Sequence, residues 1–161
     1  PPQAKNAWEL SNLLLQKFPA EQFVVTTRMT FRPDDRLRGE RAGLIVMGQS
    51  YSSLTLKSVV GGHQLVYSAV TDAAAGEVER EQPLASIKEQ TVYLRATVGT
   101  GAKVQFSYSV DDKTYHDAGG VFQAQPGRWV GAKVGLYSSR PAQEAFSGFA
   151  DFDWFRVTAP R

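Results

Sequence analysis

Hydrophobic and polar residues alternate singly through most of this chain. From Phe23 to Phe31, the residues Phe23, Val25, Thr27, Met29 and Phe31 share one face, and Val24, Thr26, Arg28 and Thr30 share the other. That period of two is the signature of a strand with one face in a core. Thr91 to Val98 repeats it, with Val92, Leu94, Ala96 and Val98 inward and Tyr93 and Arg95 outward. Lys103 to Val110 sets Val104, Phe106 and Tyr108 against Gln105, Ser107 and Ser109, and Ser52 to Val59 sets Leu54 and Leu56 against Thr55 and Lys57. Ala132, Val134 and Leu136 alternate with Lys133, Gly135 and Tyr137. Ala42 to Met47 is apolar on both faces, which predicts a central strand. The run Leu13-Leu14-Leu15 is too short for periodicity to separate a helical turn from a strand, and Pro19 ends it.

Turn signals punctuate these runs. Gly61-Gly62 predicts a hairpin into His63 to Val70, and Gly99-Thr100-Gly101 and Asp111-Asp112-Lys113 predict two more turns. Glu77 to Gln82 alternates charge in the manner of a protected edge strand. A last strand, Phe149 to Val157, is rich in aromatics. Roughly ten to twelve strands and no convincing amphipathic helix predict an all-β, two-sheet antiparallel sandwich of jelly-roll type. The outward residues Arg28, Thr30, Thr55, Lys57, Tyr93, Arg95, Gln105 and Ser107 are expected on one sheet's outer face. Such a face suits sugars, whose hydroxyls need forked donors and acceptors. An ordinary solvated sheet face fits the same pattern.

With 161 residues the chain can bury one substantial core. Residues 1–7 are expected to be the end of a linker and 8–161 a single domain. Because the sequence opens at Pro1-Pro2 and not at methionine, it reads as a piece of a longer protein. A formal net charge of +2, from 18 basic and 16 acidic side chains well mixed along the chain, offers no footprint for nucleic acid or an anionic membrane. The absence of cysteine excludes disulfides, thiolate metal sites and a cysteine nucleophile, and leaves the compartment open.

Candidate chemistry is sparse. Asp151 and Asp153 lie two apart on a strand, which would project both carboxylates from one face about 6 to 7 Å apart, with Phe152 and Trp154 opposite. As hard oxygen ligands they could hold a structural calcium ion with loop carbonyls. As a glycosidase acid and nucleophile they would need a separation near 5.5 Å and one raised pKa, roughly the retaining geometry. As structural groups they would pair with Lys133 or Arg95. Asp34 and Asp35 are a second choice for calcium, and Asp111 and Asp112 read as turn acids. His63 and His116 have no ligand-like spacing and read as surface or turn histidines. Trp154, beside Phe152 and Phe155, is expected in the core, while Trp8 could pack the N-terminus or face a neighbouring domain. Trp129 is the tryptophan on a loop, between Pro126-Gly127 and Gly131. It could be a packing residue, an exposed platform or an interdomain contact.

Several segments together resemble a known family. Asn12-Leu-Leu-Leu-Gln-Lys-Phe-Pro19, Arg41-Ala-Gly-Leu-Ile-Val-Met-Gly48, Thr91-Val-Tyr-Leu-Arg95, Gln105-Phe-Ser-Tyr-Ser109, Gly131-Ala-Lys-Val-Gly-Leu136 and Ala150-Asp-Phe-Asp-Trp-Phe155 occur in this order. They resemble the C-terminal concanavalin A-like β-sandwich of glycoside hydrolase family 43 β-xylosidases. The resemblance implies an accessory domain, inactive alone, beside an N-terminal catalytic β-propeller that bears three carboxylates. It implies that Trp129, with Arg128 beside it, reaches the edge of the propeller's active site and helps close a pocket for xylo-oligosaccharides. It also allows an independent xylan-binding module that uses Tyr93, Arg95, Arg28 and Gln105 on the sheet face.

Overall fold

The computed structural model describes residues 6–10, 12–141 and 148–160. Its strands are β1 (Leu13–Lys17), β2 (Phe23–Arg32), β3 (Arg41–Met47), β4 (Tyr51–Val59), β5 (Gly62–Val70), β6 (Arg80–Ile87), β7 (Thr91–Gly99), β8 (Lys103–Ser109), β9 (His116–Gln123), β10 (Lys133–Ser139) and β11 (Phe149–Thr158). Single 3₁₀ turns occur at Ala7–Glu9, Ala73–Ala75 and Thr100–Ala102. The strands form a six-stranded sheet in the order β1-β10-β3-β4-β5-β6 and a five-stranded sheet in the order β11-β2-β7-β8-β9. All neighbours are antiparallel. Two such sheets, each with one apolar face, bury those faces against one another.

The strictly alternating strands supply the core as expected. Val25, Met29, Leu54, Leu56, Val92, Leu94, Ala96, Val98, Val104, Phe106 and Val134 are buried in one cluster between the sheets. Burial of each large apolar side chain contributes about 1.5 to 3 kcal/mol. The Leu13–Leu15 run is a strand, β1, at the edge of the six-stranded sheet, and Leu14 is left 74% exposed there. At the other edge, β6 carries Pro83, which a central strand would not tolerate.

Two expectations are corrected. The outward polar residues do not share one face: Thr55 and Lys57 belong to the six-stranded sheet, whereas Arg28, Thr30, Tyr93, Arg95, Gln105 and Ser107 belong to the five-stranded one. Thr55 is also fully buried, although it points away from the inter-sheet core. The second correction concerns β11, whose pairing with β2 slips between Phe152 and Trp154, leaving Asp153 as the extra residue of a bulge. The slip reverses the alternation. Phe152 faces the core opposite Met29, but Trp154 lies opposite Arg28 on the outer face, so it is not a core residue and does not share a side with Phe152.

A second cluster covers the outer face of the six-stranded sheet. Ile45, Met47, Tyr51, Val70 and Tyr137 are buried there under Ala7 and Ala73. The N-terminal segment is pinned by Asn6, which donates from Nδ2 to the carbonyls of Ala73 and Glu77 at 3.1 and 2.8 Å. Asn6 and Ala7 are thus buried parts of the sandwich, while residues 1–5 of the expected linker lie outside the described residues.

Candidate functional sites

The loop between β9 and β10 is built on a close backbone approach. Gly48 follows β3 and lies against Gln125 and Pro126, and the Gln49 N–H donates to the Pro126 carbonyl at 3.1 Å. Beyond this anchor, Arg128 and Trp129 project into solvent, and Trp129 is 94% exposed. Its neighbour across a hollow of about 440 Å³ is Trp8, with Leu13, Leu15, Met47 and Val130 also lining it. Trp8 is held in place by its indole N–H, which donates to the Gly48 carbonyl at 3.1 Å. Gly48 therefore positions both tryptophans.

The other predicted residues gather on the opposite outer face, that of the five-stranded sheet. Arg28 lies between Tyr93 on β7 and Trp154 on β11. In the next row Thr26 lies between Arg95 and Arg156. The Tyr93 and Trp154 rings are 6.2 Å apart, and Arg28 pairs with Asp153. Gln105 reaches the same face opposite Thr97, but its amide is turned to the backbone, donating to the Phe106 carbonyl at 2.9 Å. Thus Arg28, Tyr93 and Arg95 are brought together, while Trp129 and Arg128 are a separate site.

The bulge also settles the geometry of the two acids. Asp151 is opposite Thr30 on the regular part of β11, whereas Asp153 occupies the bulge and bonds Arg28, neither Lys133 nor Arg95. Among the described residues, no group of three or more His, Cys, Asp or Glu is arranged to hold a metal ion. Asp34 is held by Arg36, whose side-chain hydrogen bonds depress its carboxyl to about 2. His63 packs edge-on against Phe31 with ring centres 5.5 Å apart, and His116 lies beside Tyr108 at the start of β9.

Apart from Arg95, sequence reasoning missed the aromatic and cationic residues of the sheet-face groove: Trp154, Arg156, Lys113 and Tyr115. The bulge concealed the first two. Tyr115 follows the Asp111–Lys113 turn and folds back so that Arg95 lies 3.3 Å from its ring centre, while its hydroxyl donates to Asp112 at 2.5 Å. Burial first, and then this hydrogen bond, push the Tyr115 phenol well above its ordinary range. The buried polar cluster above the six-stranded sheet was also missed. There Arg41 pairs with Glu79, and Tyr137 bonds Ser53 at 3.1 Å. Burial pushes the Tyr137 phenol up to about 12.

Comparison with known proteins places this architecture. The GH43 BlXynB protein of Bacillus licheniformis superposes with a TM-score of 0.75 at 22% identity, over 92% of this chain and 30% of its own. A bifunctional GH43-CE protein of Bacteroides eggerthii superposes with a TM-score of 0.79 at 21% identity, over 95% of this chain and 20% of its own. A functionally unknown protein of Saccharomyces cerevisiae gives 0.71 at 15% identity, over 99% of this chain and 82% of its own. At these identities the likeness is one of fold, and the chain spans about 30% of the length of the Bacillus protein. No curated protein matches the sequence. Residues 2–158 match the model of the β-xylosidase C-terminal concanavalin A-like domain, and the chain belongs to that family.

Proposed function

We propose that this chain is a non-catalytic accessory domain of a family 43 glycoside hydrolase, of β-xylosidase or α-arabinofuranosidase type. In this reading it packs on a catalytic β-propeller of the same polypeptide and lends the Arg128–Trp129 loop to the edge of that active site. The observation that carries it is Trp129, an indole 94% exposed on a loop anchored at its base by Gly48 and Pro126. A large apolar side chain so displayed and so held suits a partner surface, because its burial there would bring a gain that solvent denies it. The hollow it shares with Trp8 lies beside the N-terminal segment, so a preceding domain would leave the sandwich next to this apolar face. A tryptophan at a pocket rim would exclude water and strengthen each polar contact to a bound xylo-oligosaccharide. The pairing of Asp153 with Arg28 supports a non-catalytic role for the acids of β11. The test is to produce the catalytic domain and this chain separately and follow their association by analytical ultracentrifugation. Association weakened by Trp129→Ala supports the reading, and failure to associate at micromolar concentrations removes it.

A second reading is favoured by the convergence of Arg28, Tyr93 and Arg95 on one sheet face beside a groove. It makes the chain a xylan- or xylo-oligosaccharide-binding module in its own right. Retention of the isolated chain on insoluble xylan, lost on Arg95→Ala, would support it, and passage straight through would count against it.

A further inference from the structure

We infer that the groove on the outer face of the five-stranded sheet takes a carboxylate-bearing sugar, a uronic acid, on the guanidinium edges of Arg95 and Arg156. The inference rests on the second reading above and narrows its ligand. The groove has a volume of about 400 Å³, within the usual range for a small-ligand site. Its lining includes Arg95, Arg156 and Lys113 against one carboxylate, Asp112, and that carboxylate already accepts from the Tyr115 hydroxyl. In a chain with a net charge of only +2, this is a local concentration of positive charge.

The aromatic rings argue for an anion over a neutral sugar. A neutral pyranose needs an open ring face for its C–H groups, but one face of Tyr115 is covered by Arg95 at 3.3 Å, and one face of Trp154 by Arg156 at 4.4 Å. A guanidinium placed over a ring still carries N–H donors that the ring does not use. Among the described residues, Arg95 hydrogen-bonds the protein through Nε alone, donating to Thr26 Oγ1 at 3.1 Å. Neither Arg95 nor Arg156 forms an ion pair with a carboxylate among the described residues. Their strands flank β2 at Thr26, so the two backbones are about 10 Å apart and the side chains can converge above that row. Each guanidinium already rests over a ring, so little freedom is left to lose when a carboxylate arrives, which suits bidentate recognition. The hydroxyls of Thr26, Thr97 and Thr158 line the same groove and could serve the sugar's own hydroxyls.

The test is calorimetric titration of the chain with xylotetraose carrying one glucuronic acid branch, with unsubstituted xylotetraose, with free glucuronate and with polyglutamate. The branched oligosaccharide should bind about tenfold or more tightly than the unsubstituted one, and its affinity should fall as salt is raised. Arg156→Gln, a change at an exposed position, should cost about tenfold in that affinity with thermal unfolding unchanged. Free glucuronate matching the branched sugar would assign the free acid as ligand, and a weaker response would assign the polysaccharide branch. Equal affinity for both oligosaccharides would overturn the carboxylate and leave the sheet-face reading standing, whereas binding to no saccharide would overturn both. Polyglutamate binding as tightly as the branched sugar would overturn a sugar site in favour of an acidic peptide.

Discussion

Tyr51 and Glu79 meet above the six-stranded sheet, the phenol donating to the carboxylate Oε2 at 2.5 Å while accepting from the Ala7 N–H at 3.0 Å. One hydroxyl thus ties the N-terminal segment and the stretch preceding β6 to β4. Burial first, and then the Glu79 carboxylate, push the Tyr51 phenol far above its usual value, so it remains a donor at every pH at which the protein is handled. Tyr51→Phe leaves the Ala7 N–H without its acceptor and should cost about 1 to 3 kcal/mol. Urea unfolding should show a lower midpoint at unchanged slope. An unchanged midpoint would mean that the Tyr51 hydroxyl contributes nothing to global stability.

Gly48 is required for space. A Cβ built there would run into the carbonyl of Gln125 and press on Pro126, both backbone groups that no rotamer change can move. Gly48→Ala should therefore lower stability by about 1 to 3 kcal/mol, as overpacking does, and displace the loop bearing Trp129. Tryptophan fluorescence of the folded variant should change in position or quenching, since Trp8 donates to the Gly48 carbonyl and shares the hollow with Trp129. A variant of native stability with a native emission spectrum would rule out this anchoring role.

These two relationships mark the boundary of what alternation reveals. The cores of β2, β7 and β8 are readable because their period of two is unbroken, and burial follows it from Val92 to Val98. The fate of Trp154 is not readable, because a single inserted residue, Asp153, turns the strand over, and its sequence neighbours give no hint of a bulge. The assignment of Thr55 and Arg28 to different sheets depends on strand order, which alternation does not encode. Burial of Thr55 and Ser53 on an outward face requires a covering segment from elsewhere in the chain, and no local pattern announces one. At the candidate sites, Arg28, Tyr93 and Arg95 were legible as outward positions on regular strands. Their partners Tyr115 and Arg156 come from a folded-back turn and from beyond the bulge.

Stability should decline in acid through two turn carboxylates. Asp111 accepts from the N–H groups of Thr114 and Lys113 and from the Ser109 hydroxyl, contacts that depress its carboxyl from the ordinary 3.8 to about 2. Asp34 is depressed to a similar value, chiefly by Arg36. A folded-state value below the unfolded one means that the stabilisation is complete above the unfolded value and is lost as pH falls from about 4 towards 2. Thermal midpoints measured between pH 6 and pH 2 should fall in that window, and Asp111→Asn should flatten the fall. A variant with the same pH profile as the parent would exclude Asp111 as a contributor.

The role proposed for Trp129 can be separated from stability. With 94% of its surface already in water, Trp129→Ala removes almost no folded-state burial, and thermal unfolding of the isolated chain should move by less than about 0.5 kcal/mol. If the loop reaches a family 43 active site as proposed, the same change in an enzyme carrying both domains should lower kcat/KM for xylobiose by about tenfold or more, because the rim of the pocket would admit water and lose an apolar wall. Trp129→Phe keeps an aromatic at the rim and should recover most of that loss. Leu14 provides the comparison: it is an exposed apolar residue on the edge strand β1 and does not line the Trp129 hollow, so Leu14→Ala should leave the kinetics unchanged. Equal kinetics for the parent and Trp129→Ala would remove the loop from the active site and leave the five-stranded sheet as the functional face.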